Sequence, residues 1–174
     1  MNYGSIKNVL IALDYDHSAL NVAEAGFTFA KAIGAEVILL HVKLNLMTYS
    51  LTYLKMNSLS SESVDELKIA SQNFIHKPKL INQNEMIHSV VKQGDFAISI
   101  LNAAKEMAVD IIVMGSHSSM WLEEVVMGRV TNEVLQQTAI PLLIIPTRKY
   151  DKSNTIITLG NNSAATEQAM EKLS

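Results

Sequence analysis

Residues 7–43 read KNVLIALDYDHSALNVAEAGFTFAKAIGAEVILLHVK. The two ends of this stretch, 7–14 and 36–43, are short β-branched apolar runs without polar alternation, the pattern of strands buried on both faces. Between them Leu20, Ala23, Phe27, Ala30 and Ile33 recur along one helical face, which predicts an amphipathic helix over 18–33. Asp16 or Ser18 can cap its start, and Gly34 follows its end. A strand, a helix and a second strand in this order form a right-handed crossover unit. Strands apolar on both sides need helices over both faces of a parallel sheet.

The same alternation continues downstream. Residues 86–92 (MIHSVVK), 110–115 (DIIVMG) and 141–146 (PLLIIP) read as three further strands, the first of them less apolar than the others. Phe96, Ile100, Ala104 and Met107 mark a helix over 95–108 with Asp95 as its cap, and Leu122, Val126, Val130 and Val134 mark another over 122–138. A weaker helical pattern covers 60–76. The expected fold is α/β: a doubly wound five-stranded parallel sheet in the order 3-2-1-4-5, one domain over 1–147. Its ligand crevice is expected beyond the carboxyl ends of the strands, where the order reverses. Residues 148–174 form a C-terminal extension with a strand-like TIITL at 155–159 and a helix-like end from Ser163. The connection 44–59 is apolar enough to cover the crevice or a neighbouring subunit.

Composition narrows the function. At 174 residues and 48% hydrophobic content the chain supports one buried core, and a net charge of −3 without a Lys/Arg block leaves no electrostatic footprint for nucleic acid. No apolar run reaches the roughly 18 residues of a membrane span, so no membrane partner is expected. The first residues, Met-Asn-Tyr-Gly-Ser, have no signal-peptide pattern, and the absence of cysteine fits a cytoplasmic location while excluding disulfides and thiolate sites. His17, His41, His76, His88 and His117 lack metal-ligand spacing, and Glu123 and Glu124 are adjacent and so diverge on a helix. Neither a nucleophile elbow nor a Walker or dinucleotide glycine motif occurs. No catalytic set or metal site assembles, and the chain reads as a non-enzyme.

Two places face the expected crevice. Asp14 ends the first strand, where its carboxylate can accept from a ribose hydroxyl or an adenine amino group, or cap the next turn together with Asp16 and Ser18. Residues 114–130 read MGSHSSMWLEEVVMGRV. Gly115 follows a buried strand, where a missing side chain permits close backbone approach to a ligand. Gly128 interrupts the helical pattern, either as a packing glycine in one kinked helix or as the start of a new helix whose free N–H groups can meet an anion.

Over residues 5–147 the chain resembles the universal stress protein family. The resemblance rests on VLIALDYDHSALNVAEAGFTFAKAIGAEVILLHV at 9–42 and on AKEMAVDIIVMGSHSSMWLEEVVMGRVTNEVLQQTAIPLLIIP at 104–146. It implies an adenine-nucleotide alpha-hydrolase-like fold, a role in the stress response, and ATP or another adenine nucleotide as the ligand, with no other cofactor. By resemblance Ala12 and Asp14 lie at the nucleoside, the backbone of Val42 at adenine, and Met114 forms a hydrophobic wall. Nucleotide-binding members carry G-x-x-G-x9-G-[S/T], whose first and third glycines match Gly115 and Gly128. The second glycine matches Ser118, the hydroxyl position matches Arg129, and Val130 keeps a backbone N–H for phosphate. Ser118 adds a Cβ where close approach is wanted, and Arg129 brings a long cation that could fill the pocket or pair with phosphate. The resemblance also implies a homodimer through the strand between Pro141 and Pro146 (141–146), unless the tail from Thr147 folds back over that edge. Two alternatives stand beside a nucleotide-binding regulatory module: a dimeric interaction protein that binds no nucleotide, and, more weakly, a slow ATP hydrolase. Protein partners are unspecified by the sequence.

Overall fold

The computed structural model describes residues 6–14, 19–43, 65, 68, 69, 87–116 and 128–147, and the backbone of 157–159. In chain order these form β1 (Asn8–Leu13), α1 (Ala19–Ile33), β2 (Glu36–Lys43), β3 (Ile87–Gln93), α2 (Phe96–Glu106), β4 (Ile111–Ser116), α3 (Arg129–Gln137), β5 (Leu142–Pro146) and β6 (Ile157–Leu159). The sheet runs β3-β2-β1-β4-β5-β6. Its first five members are parallel, as the sequence predicts, while β6 joins antiparallel.

The doubly apolar strands supply two cores from alternate residues. Val9, Ile11, Val37, Leu39, Val113 and Leu143 face one way, onto Val22, Phe27 and Ala30 of α1. Leu10, Ile38, Leu40, Ile112, Leu142 and Ile144 face the other, onto Ala97, Ile100 and Ala104 of α2 and Val134 of α3. Each buried Val, Leu, Ile or Phe among them contributes roughly 1.5–3 kcal/mol relative to exposure. β3 has no fully buried residue, which fits its less apolar sequence and its place at the sheet edge.

Local signals fix the helix ends. At the end of α1 the N–H of Gly34 donates to Lys31 O (3.2 Å) and that of Ala35 to Ala30 O (2.9 Å), with Gly34 at φ 70°, a Schellman ending. Asp95 caps α2, its carboxylate accepting from the N–H of Ile98 at 3.1 Å. At the opposite end of the sheet from the expected crevice, the carboxylate of Asp110 accepts from the N–H groups of Lys7 (2.8 Å) and Asn8 (3.0 Å), tying the start of β4 to the start of β1.

Of the two outcomes expected at the last parallel strand, the structure has the tail folding back. The strand at 141–146 does not present a bare edge to a second copy, because Leu142, Leu143 and Ile144 pair with residues 159, 158 and 157 of β6. An apolar edge seeks a backbone partner, and the strand-like TIITL segment of the same chain supplies one. Residues 65, 68 and 69 of the weaker helix are helical. The rest of that helix, the connection 44–59, the end from Ser163 and the position of Ser118 lie outside the described residues.

Candidate functional site

Right-handed crossovers place the carboxyl ends of the strands beside the amino ends of the following helices. A cavity of about 370 Å³ opens there, between β1 and β4, where the strand order reverses. Ala12, Leu13 and Asp14 line it from the end of β1, Val42 from β2, and Met114, Gly115 and Ser116 from β4. The first turns of the helices complete it, through Ala19 and Val22 of α1, Phe96 and Ile100 of α2, and Gly128, Arg129, Val130 and Thr131 at α3. Thr147 closes the wall beyond β5.

Eight of the nine residues singled out from the sequence, Ala12, Asp14, Val42, Met114, Gly115, Gly128, Arg129 and Val130, line this one cavity, while Ser118 lies outside the described residues. Met114 and Val42 are buried and present apolar surface, and Asp14 is exposed at the mouth. Gly128 is the N-cap of α3 in extended conformation (φ −60°, ψ 154°), so the helix starts here and does not run through. Gly128 has no side chain to cap the N–H groups of the first turn, whereas α2 has Asp95 for that purpose. Its carbonyl accepts the first helical hydrogen bond, from the N–H of Asn132 at 2.9 Å.

The Arg129 side chain does not fill the cavity. It is 76% exposed, and its guanidinium Nη1 lies 3.7 Å from Glu133 Oε2, one helical turn on. Gly115 has a packing role in addition to its position on the wall: an added Cβ would lie 3.0 Å from methyl groups of both Val22 and Thr147. Small size at 115 lets these two side chains close against β4.

Sequence reading missed the hydroxyls of the wall. The Thr131 hydroxyl donates to Gly115 O at 3.1 Å, joining α3 to β4. The N–H of Thr147 donates to Ser116 Oγ at 3.2 Å, and the Thr147 hydroxyl donates to Ser116 O. These bonds link residues 16 and 31 positions apart, so no local pattern announces them. Sequence reading also missed the bond made by His41. It is buried in β2, and its Nδ1 lies 3.0 Å from Leu13 O. A carbonyl can only accept, so Nδ1 carries the proton and the ring holds the end of β1 just before Asp14. Among the described residues, no group of three or more His, Asp or Glu is placed to hold a metal ion, and no helix is long and apolar enough to cross a membrane.

A model of the universal stress protein family matches residues 5–146. The chain is 30% identical over 146 residues to universal stress protein YxiE of Bacillus subtilis, a match covering 80% of this chain and 98% of that protein. Among solved structures, protein MJ0577 of Methanocaldococcus jannaschii is similar at a TM-score of 0.63 and 27% identity, over 85% of this chain and 100% of the other. A universal stress protein from Archaeoglobus fulgidus, solved in complex with dAMP, shares the fold at a TM-score of 0.58 and 14% identity, over 81% of this chain and 98% of its own.

Proposed function

The chain belongs to the universal stress protein family, and we propose that it is a non-catalytic regulatory module of the stress response that takes an adenine nucleotide chiefly by its nucleoside end. One observation carries this reading: Ala12, Asp14, Val42 and Met114 converge on a single cavity whose far side is the start of α3. In this reading Asp14 accepts from the ribose hydroxyls, the backbone at Val42 meets the base, and Met114 forms the apolar wall beside it. The N–H groups at the start of α3 face the phosphates. A protein of the same fold that was solved in complex with dAMP supports this reading. Ligand occupancy would then alter surfaces read by partners. A homodimer belongs to the same reading, with the second copy meeting the outer edge of β6 or displacing it.

The phosphate half is weakened by chemistry visible in the sequence. Arg129 stands where a small hydroxyl donor serves nucleotide-binding relatives, and Ser118 where glycine does. Loss of one hydrogen bond to a charged group costs about 1.5–3 kcal/mol, roughly tenfold or more in affinity. Two measurements test the reading. Denaturing the purified protein and resolving the released material by ion exchange should show adenosine, its mono- or diphosphate, or nothing, but not stoichiometric ATP. In titration calorimetry, Ser118→Gly with Arg129→Ser should strengthen ATP binding about tenfold and leave adenosine within about twofold. Low-micromolar ATP binding by the unmodified chain, weakened by the double change, would sink the reading of a degraded phosphate cradle. If neither form binds adenosine or ATP, the function lies on the protein surface, as in the dimeric interaction protein that takes no nucleotide.

A further inference from the structure

We propose that Glu133 sets the crevice's tolerance for ligand phosphate by competing for the guanidinium of Arg129, an inference that rests on the nucleotide reading above. Arg129 is the first residue of α3 and lines the cavity, yet its charged end is turned along the helix surface toward Glu133. Asp14 and Arg129 are the charged residues among the described ones that line the cavity. Glu133, one turn on and outside the cavity lining, draws the guanidinium away from the wall that Arg129 forms. A ligand bearing several phosphates must draw the guanidinium back from Glu133 before that positive charge can balance it. The crevice therefore favours an adenine nucleoside with one phosphate or none over di- and triphosphates.

The pair is built to yield. At 3.7 Å the contact is longer than a hydrogen bond, so it leaves the guanidinium donors unspent on Glu133. Arg129 is 76% exposed and the Glu133 side chain 35%, a setting in which an ion pair is worth a factor of about five at most. A phosphate offers the bidentate geometry that a single distant carboxylate oxygen does not. Arg129 is thus a phosphate-selectivity residue and Glu133 the residue that positions it.

Calorimetry with adenosine, AMP and ADP on the full chain, on Glu133→Gln, on Arg129→Gln and on the double variant tests this. Glu133→Gln should tighten ADP by about two- to fivefold, AMP by less, and leave adenosine unchanged. The gain should vanish when Arg129 is also Gln. Loss of a merely structural i,i+4 pair would lower the melting temperature slightly and leave the ratio of ADP to adenosine affinity where it was. An unchanged ratio in Glu133→Gln overturns the proposal. So does a gain that survives in the double variant, because Glu133 would then act as a bare charge and not through Arg129. If adenosine binds to none of the four proteins, the nucleotide reading itself fails and takes this inference with it, an outcome distinct from the other two because in those adenosine still binds.

Discussion

Gly34 and Ala108 occupy the same place in two helix endings. After α2, the N–H of Ala108 donates to Lys105 O (3.2 Å) and that of Val109 to Ala104 O (2.9 Å), repeating the pair of bonds that Gly34 and Ala35 make after α1. Both endings require a left-handed residue, and Ala108 adopts φ 49° against Gly34 at φ 70°. A Cβ in that region costs about 1–2 kcal/mol, while glycine costs about 0.5–1 kcal/mol of extra chain entropy on folding. Backbone strain therefore outweighs chain entropy. Gly34→Ala, where an added Cβ meets nothing within 4 Å, should destabilise by about 1 kcal/mol through backbone strain alone. Ala108→Gly should stabilise by about 0.5–1 kcal/mol, an opposite sign at an equivalent site. Urea denaturation of both variants checks the pair, and a destabilised Ala108→Gly would show that the methyl group packs better than its backbone suffers.

Gly26 shows how one residue sets the distance between α1 and the sheet. A Cβ built there would lie 2.6 Å from Cδ1 and 3.0 Å from Cγ1 of Ile11, which is fully buried, so alanine cannot enter without moving β1's side chain. The better helix propensity of alanine, about 1 kcal/mol, works against overpacking of about 1–3 kcal/mol. Overpacking should win, and Gly26→Ala should lower stability. Ile11→Val removes the closest carbon, so the two changes together should cost less than their sum by at least about 0.5 kcal/mol, read from a double-mutant cycle. Strict additivity would mean that Ile11 rotates out of the way freely. The elements themselves were legible because their causes are local. Apolar runs without alternation mark strands that feed two cores, as Leu10 and Ile11 do on opposite faces. Gly34 and Asp95 mark helix ends by their own chemistry, and the candidate site followed because strand ends and helix starts must share one side of the sheet. The direction of Arg129 was left open, since the crevice on one side and Glu133 one turn on both offer its cation a place. Nor were the hydroxyl bonds of Thr131 and Thr147 legible, which depend on residues far apart in the chain, whereas the return of β6 to β5 was one of the two outcomes that the strand-like TIITL allowed.

At the scale of the molecule, the element that covers the sheet edge is the strand beyond the family match, which ends at 146. β6 covers the backbone of Leu142, Leu143 and Ile144, while the buried residues of the two cores, among the described ones, lie at or before Ile145. The three described helices and the five parallel strands all precede residue 148. A chain ending at Thr147 should keep a cooperative thermal transition, with a modest loss of stability from three residues of strand pairing. What the truncation changes is the edge. β5 is apolar, its Leu142 is fully buried, and its backbone donors and acceptors would face solvent unpaired, the condition that drives strand edges to find one another. A second copy of β5 is the partner of matching shape, and a two-fold axis beside the strand would pair each edge with the other. The truncated chain is thus expected to self-associate at lower concentration than the full chain, followed by light scattering across a micromolar dilution series. If the truncated chain dissociates more readily than the full chain, β6 is part of the contact between copies and does not shield it. Loss of the cooperative transition would mean that the extension belongs to the core, and that the sheet needs its sixth strand to fold.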